Sequence, residues 1–361
     1  MAGNSFGEFF KITTWGESHG KSLGVVIDGC PAGVKISEKD IQTEMDRRKP
    51  GQSKYTTQRK EPDKINILSG VFEGKTTGTP ISMLINNTDA ISKSYNSFKD
   101  IYRPGHADLS YDAKYGIRDY RGGGRSSNRE TVARVAAGAI AKKILESFKI
   151  KTFGFVSQIG DIKCDNVVQS YIEKNPLRIP DRSKLNSMTD LIDSVRKQGD
   201  SIGGIIEIRS KGVPAGLGSP VFDKIDAKLA AAIMSIGGVR GFEIGSGFSI
   251  AEKKGSEVND IILSKKGSRA SFKTNNAGGI LGGITNGNDL IIRFALKPTS
   301  SISKQQDSIN SKGSKKKLKV TGRHDPCLCP RAVPIGEAMV NLVLLDCLLE
   351  NQLSNIKKIS I

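Results

Sequence analysis

Three histidines occur in this 361-residue chain, each in a glycine- or proline-marked corner beside a carboxylate or an arginine: His19 in GESHG, His106 in RPGHAD and His324 in GRHDPC. Imidazole titrates near neutrality and is the commonest proton-transfer side chain. Such corners suit a loop-built catalytic site, and they equally suit surface histidines. Residues 103–131, RPGHADLSYDAKYGIRDYRGGGRSSNRET, join His106 to five arginines and three consecutive glycines, Gly122 to Gly124. The end of this stretch reads as a helix start, with Ser127 and Glu130 as a capping box. A glycine-rich loop entering a helix N-terminus turns backbone N–H groups outward beside a positive dipole end, which suits phosphate. Arg125 and Arg129 would add charge-assisted donors. A flexible loop with solvated arginines is the competing reading. Cys327 and Cys329 lie near His324, but no second ligand pair exists, so small buried thiols are expected and no metal. Asp346 falls on the apolar face of the last helical pattern. A buried carboxylate is costly unless paired or used, so it serves either a hydrogen bond between elements or chemistry.

Several elements must position these groups. Residues 6–14 and 23–29 read as strands, and residues 37–48 as a helix started by Ser37 and Asp40. Residues 65–85 read as two or three short strands with turns. A long helix is expected over residues 128–147, with Val132, Val135, Ala136, Ala139, Ile140 and Ile144 on one face. Residues 151–160 form a strand, and residues 161–200 read as irregular with a helical patch at 191–198. The pattern Gly24–Val25–Val26 then Pro31–Ala32–Gly33–Val34 returns as Gly204–Ile205–Ile206 then Pro214–Ala215–Gly216–Leu217. A degenerate strand–loop–helix duplication packed as one domain, residues 1–361, accounts for it. The lysine-rich residues 302–318 read as a mobile surface loop. A final apolar helix carries Ile335, Met339, Leu342, Leu345 and Leu349.

The net charge of +18 admits nucleic acid or a small polyanion as partner. No aromatic interleaving or helical basic stripe of a nucleic-acid reader is visible, so a small acidic substrate is the better match. There is no run of about eighteen apolar residues that would read as a membrane span, and the N-terminus lacks the pattern of a signal peptide. Five cysteines, an odd number, point to a reducing cytoplasm.

The motifs WGESHG, DRRKPGQSKYTTQRKEPD, RPGHAD, YRGGGRSSNRET, NNAGGILGGI, ALKPTSS and GRHDPC…RAVPI, in this order, resemble the chorismate synthase family. The resemblance implies an α+β fold, a β-α-β sandwich with helices between two mainly antiparallel sheets and internal pseudo-symmetry, assembled as a homotetramer. It implies a 1,4-anti elimination of phosphate from 5-enolpyruvylshikimate 3-phosphate to give chorismate, the last step of the shikimate pathway. It also implies reduced FMN as cofactor with no net redox change; no flavin-reductase domain is visible in the sequence, so an external reductant is expected. By motif, His19, His106 and Asp346 become catalytic. Arg125, Ser126, Ser127, Gly237, Gly238, Gly278, Lys297, Pro298, Thr299, Ser300, Ser301 and Arg323 become flavin contacts. Arg48 and Lys54 become the NADP positions. Arg48, Arg129, Arg134 and Arg331 become substrate contacts. Lys54 stands where arginine is common in the family, which keeps charge but not the forked geometry. Two other classes stay open on the residues alone. A polyanion-binding module would bind with steep salt dependence and need no flavin. An ordinary flavin oxidoreductase would consume reductant at each turnover.

Overall fold

The computed structural model describes residues 3–57, 59, 61–89, 95, 99–266, 269–320 and 324–358. The first half runs β1 (Ser5–Phe6), β2 (Lys11–Gly16), β3 (Ser22–Asp28), α1 (Glu38–Arg48), β4 (Ile65–Ile67), the β5 (Val71–Phe72) and β6 (Lys75–Thr76) hairpin, β7 (Ile81–Asn86), α2 (Asp108–Tyr115) and α3 (Thr131–Ser147). The second half runs β8 (Lys151–Ile159), β9 (Ile162–Lys163), α4 (Leu185–Lys197), β10 (Gly204–Lys211), α5 (Ile225–Met234), β11 (Val239–Ile244), α6 (Gly255–Val258), β12 (Ile262–Lys266), β13 (Arg269–Phe272), β14 (Ile280–Leu281), β15 (Ile284–Thr285), β16 (Leu290–Leu296), β17 (Gln305–Ile309), β18 (Lys315–Lys319) and α7 (Cys329–Asn351).

Two five-stranded sheets form, ordered β1-β2-β3-β7-β4 and β9-β8-β10-β16-β11, with antiparallel pairing throughout. Alternation sends one side of each strand inward: Ile81, Met83 and Ile85 of β7, and Leu290, Ile292, Phe294 and Leu296 of β16, are buried. The helices fill the space between. α3 packs on β2 and β3, α7 packs on β8 and β10, and α3 and α7 pack on each other. Their approach is close enough that a Cβ on Gly138 would lie 2.7 Å from the Ala338 Cα. α7 has the length and apolar composition of a membrane span, but 94% of its most apolar window is covered by protein. It is the central core helix of the sandwich.

The expected duplication is present in the backbone. Thr76 Oγ1 donates to the Pro31 carbonyl at 2.6 Å and accepts the Val34 N–H at 2.9 Å. Thr285 Oγ1 donates to the Pro214 carbonyl at 2.6 Å and accepts the Leu217 N–H at 2.9 Å. One hydroxyl therefore staples the proline–glycine turn to the β5–β6 hairpin in the first half, and to the β14–β15 hairpin in the second. Strand order matches as well: β2, β3, β7 and β4 correspond to β8, β10, β16 and β11. In both halves the chain leaves a central strand, β7 or β16, makes a long excursion, and returns as a core helix, α3 or α7.

Three local expectations change. The helix predicted at residues 128–147 begins with a 3₁₀ turn, Asn128–Glu130, and is α-helical only from Thr131. The Ser127–Glu130 box is half formed. Ser127 Oγ accepts the Arg129 N–H at 3.2 Å, while Glu130 turns forward to Arg134. Residues 161–200 hold a full helix, α4. The segment predicted as a mobile loop at 302–318 is mostly the antiparallel β17–β18 hairpin. Leu318 and Val320 bury against Tyr95 and Ile101, and Ser308 Oγ donates to the Tyr102 carbonyl. The lysines of β18 stay exposed on the solvent side, which is why composition alone read as loop.

Candidate active site

The two excursions meet at a cavity of about 820 Å³. Lys297 Nζ donates to the Gly105 carbonyl at 2.6 Å, and Ile101 bridges Asn310, so each arm holds the other. Within the second arm, Thr299 Oγ1 donates to the Asp325 carbonyl at 2.6 Å, which fixes the KPTSS corner against the GRHDPC corner.

The glycine run from Gly122 to Gly124 has φ of +69°, +106° and +54°, a backbone open mainly to glycine. Its absent side chains have a second purpose. A Cβ on Gly122 would lie 2.6 Å from His19 Nε2, and one on Gly123 would lie 2.8 Å from His106 Cε1. The two imidazoles thus press against successive residues of one loop, and both line the cavity. Burial, then the Arg59 guanidinium, pushes His19 down to about 4. His106 is also lowered, chiefly by burial and against the hydrogen bond to Asp108 that raises it. His324 lines the same cavity and is lowered by burial. All three imidazoles are therefore neutral at pH 7 in the free site.

Among the described residues, nine arginines and lysines line the cavity against three carboxylates, Asp89, Glu130 and Asp325. Their partners divide them. Arg48 is fully buried and spends its nitrogens on Thr131 Oγ1, Asp63 Oδ2 and the Asn128 carbonyl. Burial first, then the neighbouring Arg331, pushes it down to about 9. Arg129 pairs with the other oxygen of Asp63 and donates to Asn87 Oδ1. Arg331 is held by Asp325 Oδ2 at 2.7 Å, and Arg134 by Glu130 and Ser235. By contrast Arg125, Arg240 and Lys297 have no carboxylate partner among the described residues. Arg125 is anchored on Asn4, Thr14 and Gly16, and Arg240 and Lys297 on backbone carbonyls. These three carry the uncompensated positive charge.

Most residues named from sequence come together here: His19, His106, Arg48, Arg125, Ser126, Ser127, Arg129, Arg134, Gly237, Gly238, Lys297 to Ser301 and Arg331. Four do not. Asp346 lies outside the cavity, and its Oδ1 accepts the N–H groups of Glu8, Phe9 and Phe10 at 3.0, 2.7 and 2.8 Å. Spacing correctly put this carboxylate on a buried helix face, and the chain satisfied it with three loose N–H groups of the β1–β2 turn. Gly278, φ +65°, also lies outside; a Cβ there would meet the Gly245 N at 2.5 Å, so it permits a backbone crossing. Lys54 pairs with Asp193 and lines a smaller cleft of about 200 Å³ rather than the main cavity. The two positions named for NADP line adjoining cavities that share Ser301, His324 and Asp325. Arg323 lies outside the described residues. The lining also includes residues the sequence reading passed over: Arg59, Arg103, Arg240 and Asp325. Arg103 and Asp325 sit inside the RPGHAD and GRHDPC corners, so attention to the charged neighbours of the histidines would have found them.

The Asp346 geometry gives a direct expectation. Asp346→Ala should cost roughly 2–4 kcal/mol of stability, because three N–H groups lose a charged acceptor, while turnover per folded molecule is unchanged. Urea unfolding and initial rates check it. A collapsed rate with intact stability would return Asp346 to the chemistry.

Comparison with known proteins agrees with this architecture. The family model described as chorismate synthase matches residues 10–349. The chain is 55% identical over 357 residues to a chorismate synthase of Pelagibacter ubique (strain HTCC1062), covering 98% of this chain and 99% of that one. It is 56% identical over 349 residues to a chorismate synthase of Francisella tularensis subsp. novicida (strain U112), covering 97% and 98%. A chorismate synthase crystal structure superposes with a TM-score of 0.78 at 35% identity, covering 98% of this chain and 95% of that one. With two stapled halves, helices between antiparallel sheets and a full-length match, the chain belongs to the chorismate synthase family.

Proposed function

We propose that the cavity binds 5-enolpyruvylshikimate 3-phosphate beside reduced FMN and that His19 and His106 move protons during the elimination. The family's reaction is that of a carbon–oxygen lyase: the phosphate leaves with its C–O electron pair, one ring hydrogen leaves as a proton, and chorismate forms. The observation that carries the reading is the pairing of two neutral imidazoles with the uncompensated cations Arg125, Arg240 and Lys297 in one cavity.

The residues present fit a flavin and a polyanionic substrate. The cavity volume lies within the range for organic ligands, on the order of 300–1,000 Å³. Asn128 Oδ1, Arg129 Nη2 and His324 Nε2 are buried in its wall without hydrogen-bond partners among the described residues. Such groups are costly unless a ligand satisfies them. Arg125, Ser126, Ser127, Gly237, Gly238 and Lys297 to Ser301 would hold the flavin. When bound, reduced FMN supplies electron density to the substrate ring as phosphate departs and regains it, so no reductant is consumed.

The chain's own groups do the rest. The cations stabilise charge growing on the departing phosphate. His19 would donate a proton to it. A neutral His19 with a folded value near 4 must first gain a proton, and an approaching dianion favours that. Substrate binding should therefore take up a proton between about pH 5 and 7. Calorimetry in buffers of different ionisation enthalpy measures it; zero uptake would remove His19 as the acid. Supply of reduced flavin from an external reductant, a homotetramer and a cytoplasmic setting belong to the same reading. An anaerobic phosphate-release assay with and without reduced FMN tests the whole. Release without flavin, or stoichiometric loss of reductant, would overturn it.

A further inference from the structure

The geometry points to Asp108 as the residue that sets which nitrogen of His106 works in the cavity. Asp108, clamped by Arg103, holds the His106 Nδ1–H and leaves Nε2 as the working atom. This inference rests on the proposed catalytic role of His106.

Asp108 opens α2, and only 4% of it is exposed. Arg103 grips it three times. Its Nε donates to Oδ2 at 2.8 Å, its Nη2 to Oδ1 at 2.7 Å, and its backbone N–H to Oδ2 at 3.0 Å. Arg118 Nη1 lies 3.8 Å from Oδ1. A fork-to-fork pair of this kind fixes the carboxylate in plane and position. Burial alone would raise the Asp108 pKa, but the hydrogen bonds from Arg103 and His106 hold it far below the ordinary carboxylate range. It is therefore an anion, which can only accept.

His106 Nδ1 lies 3.0 Å from Asp108 Oδ1 and 3.1 Å from Arg103 Nη2. Two tautomers are conceivable. With the proton on Nε2, the Nδ1 lone pair would accept from Arg103 but would also face an anionic oxygen at 3.0 Å. With the proton on Nδ1, it donates to that oxygen, while Arg103 Nη2 keeps its shorter bond to Oδ1. The second arrangement satisfies every group, and the first opposes two lone pairs in a buried site. The Cε1–Nε2 edge then lies against Gly123 at the cavity wall. Asp108 does not itself line the cavity; it acts through His106, as a positioning residue.

The test uses the full chain with ¹⁵N-labelled histidine, its long-range ¹H–¹⁵N correlations assigned by loss of a signal in His106→Gln. Wild type should show a protonated Nδ1 and a bare Nε2 at His106. Asp108→Asn can turn its amide N–H toward Nδ1, so the proton should move to Nε2. A tautomer error of this kind costs about 10⁴-fold in kcat in a well-studied dyad, and kcat should fall by roughly 10²–10⁴-fold here with KM little changed. Asp108→Glu should restore the wild-type tautomer and part of the rate. A bare Nδ1 in wild type overturns the inference, whatever the variants do. So does an unchanged tautomer in Asp108→Asn with a lowered kcat. Near-normal turnover in His106→Gln would instead overturn the catalytic role of His106, and the tautomer measurement would stand on its own.

Discussion

His19→Ala is expected to lose about 10²–10⁴-fold in the rate of phosphate release and almost none of its fold. The imidazole is half-buried, rests on Gly122 and meets Tyr95 edge-on at 5.1 Å. Removing it opens space on the cavity side and creates no void in the sandwich core. Its pH signature separates the two roles. The folded value of about 4 lies below the ordinary 6.5, so the unfolded chain binds more protons between those values. Stability from His19 is thus fully present above about pH 6.5 and falls as pH drops toward 4. The alanine variant should show a flatter stability profile over that window, with the contributions of His106 and His324 remaining. Rapid-quench phosphate release and urea titrations at several pH values measure both effects. If the variant keeps near-normal turnover, the proton comes from elsewhere.

Asp63→Ala is expected to destabilise the protein by about 3–5 kcal/mol, the cost of breaking a buried pair from one side. Asp63 is fully buried, has φ of +47°, and holds Arg48 with one oxygen and Arg129 with the other. Without it, Arg48 would lose its carboxylate partner while still facing Arg129 and Arg331. Asp63→Asn keeps the shape and half the acceptors, so it should cost less than alanine. Chemical unfolding of the two variants gives the ranking. An alanine variant within about 0.5 kcal/mol of wild type, the range of an ordinary surface change, would mean that the arginine pair finds other support.

What could be read from sequence was local. Ser37 and Asp40 mark the start of α1 because a capping box lies within four residues, and both halves of that box form. The histidine corners were legible for the same reason: glycine and imidazole share short motifs. Strand order was not legible, since β3 pairs with β7 across an intervening helix and hairpin. The arginines show the same limit. Sequence identified them as an anion site, but only the fold shows that Arg48 is spent on Asp63 while Arg240 meets no carboxylate among the described residues. The β17–β18 hairpin was missed because its few inward apolar residues, Leu318 and Val320, are outnumbered by outward lysines.

The matching strand order of the halves bears on how many sites one chain can own. Two identical half-chains related by a two-fold axis would bring two identical arms to the same place, and the axis would pass between them. A single cavity would be shared there, with mirrored groups on both walls. Fusing the halves into one polypeptide releases the arms from that identity. Here the first arm supplies His106 and the glycine loop, and the second supplies Lys297 to Ser301 with His324 and Asp325. An asymmetric substrate, with a leaving group at one end of its ring and a departing proton at the other, needs unlike walls. A symmetric ancestor could cradle such a molecule only in two interchangeable orientations; the fused chain can hold it in one.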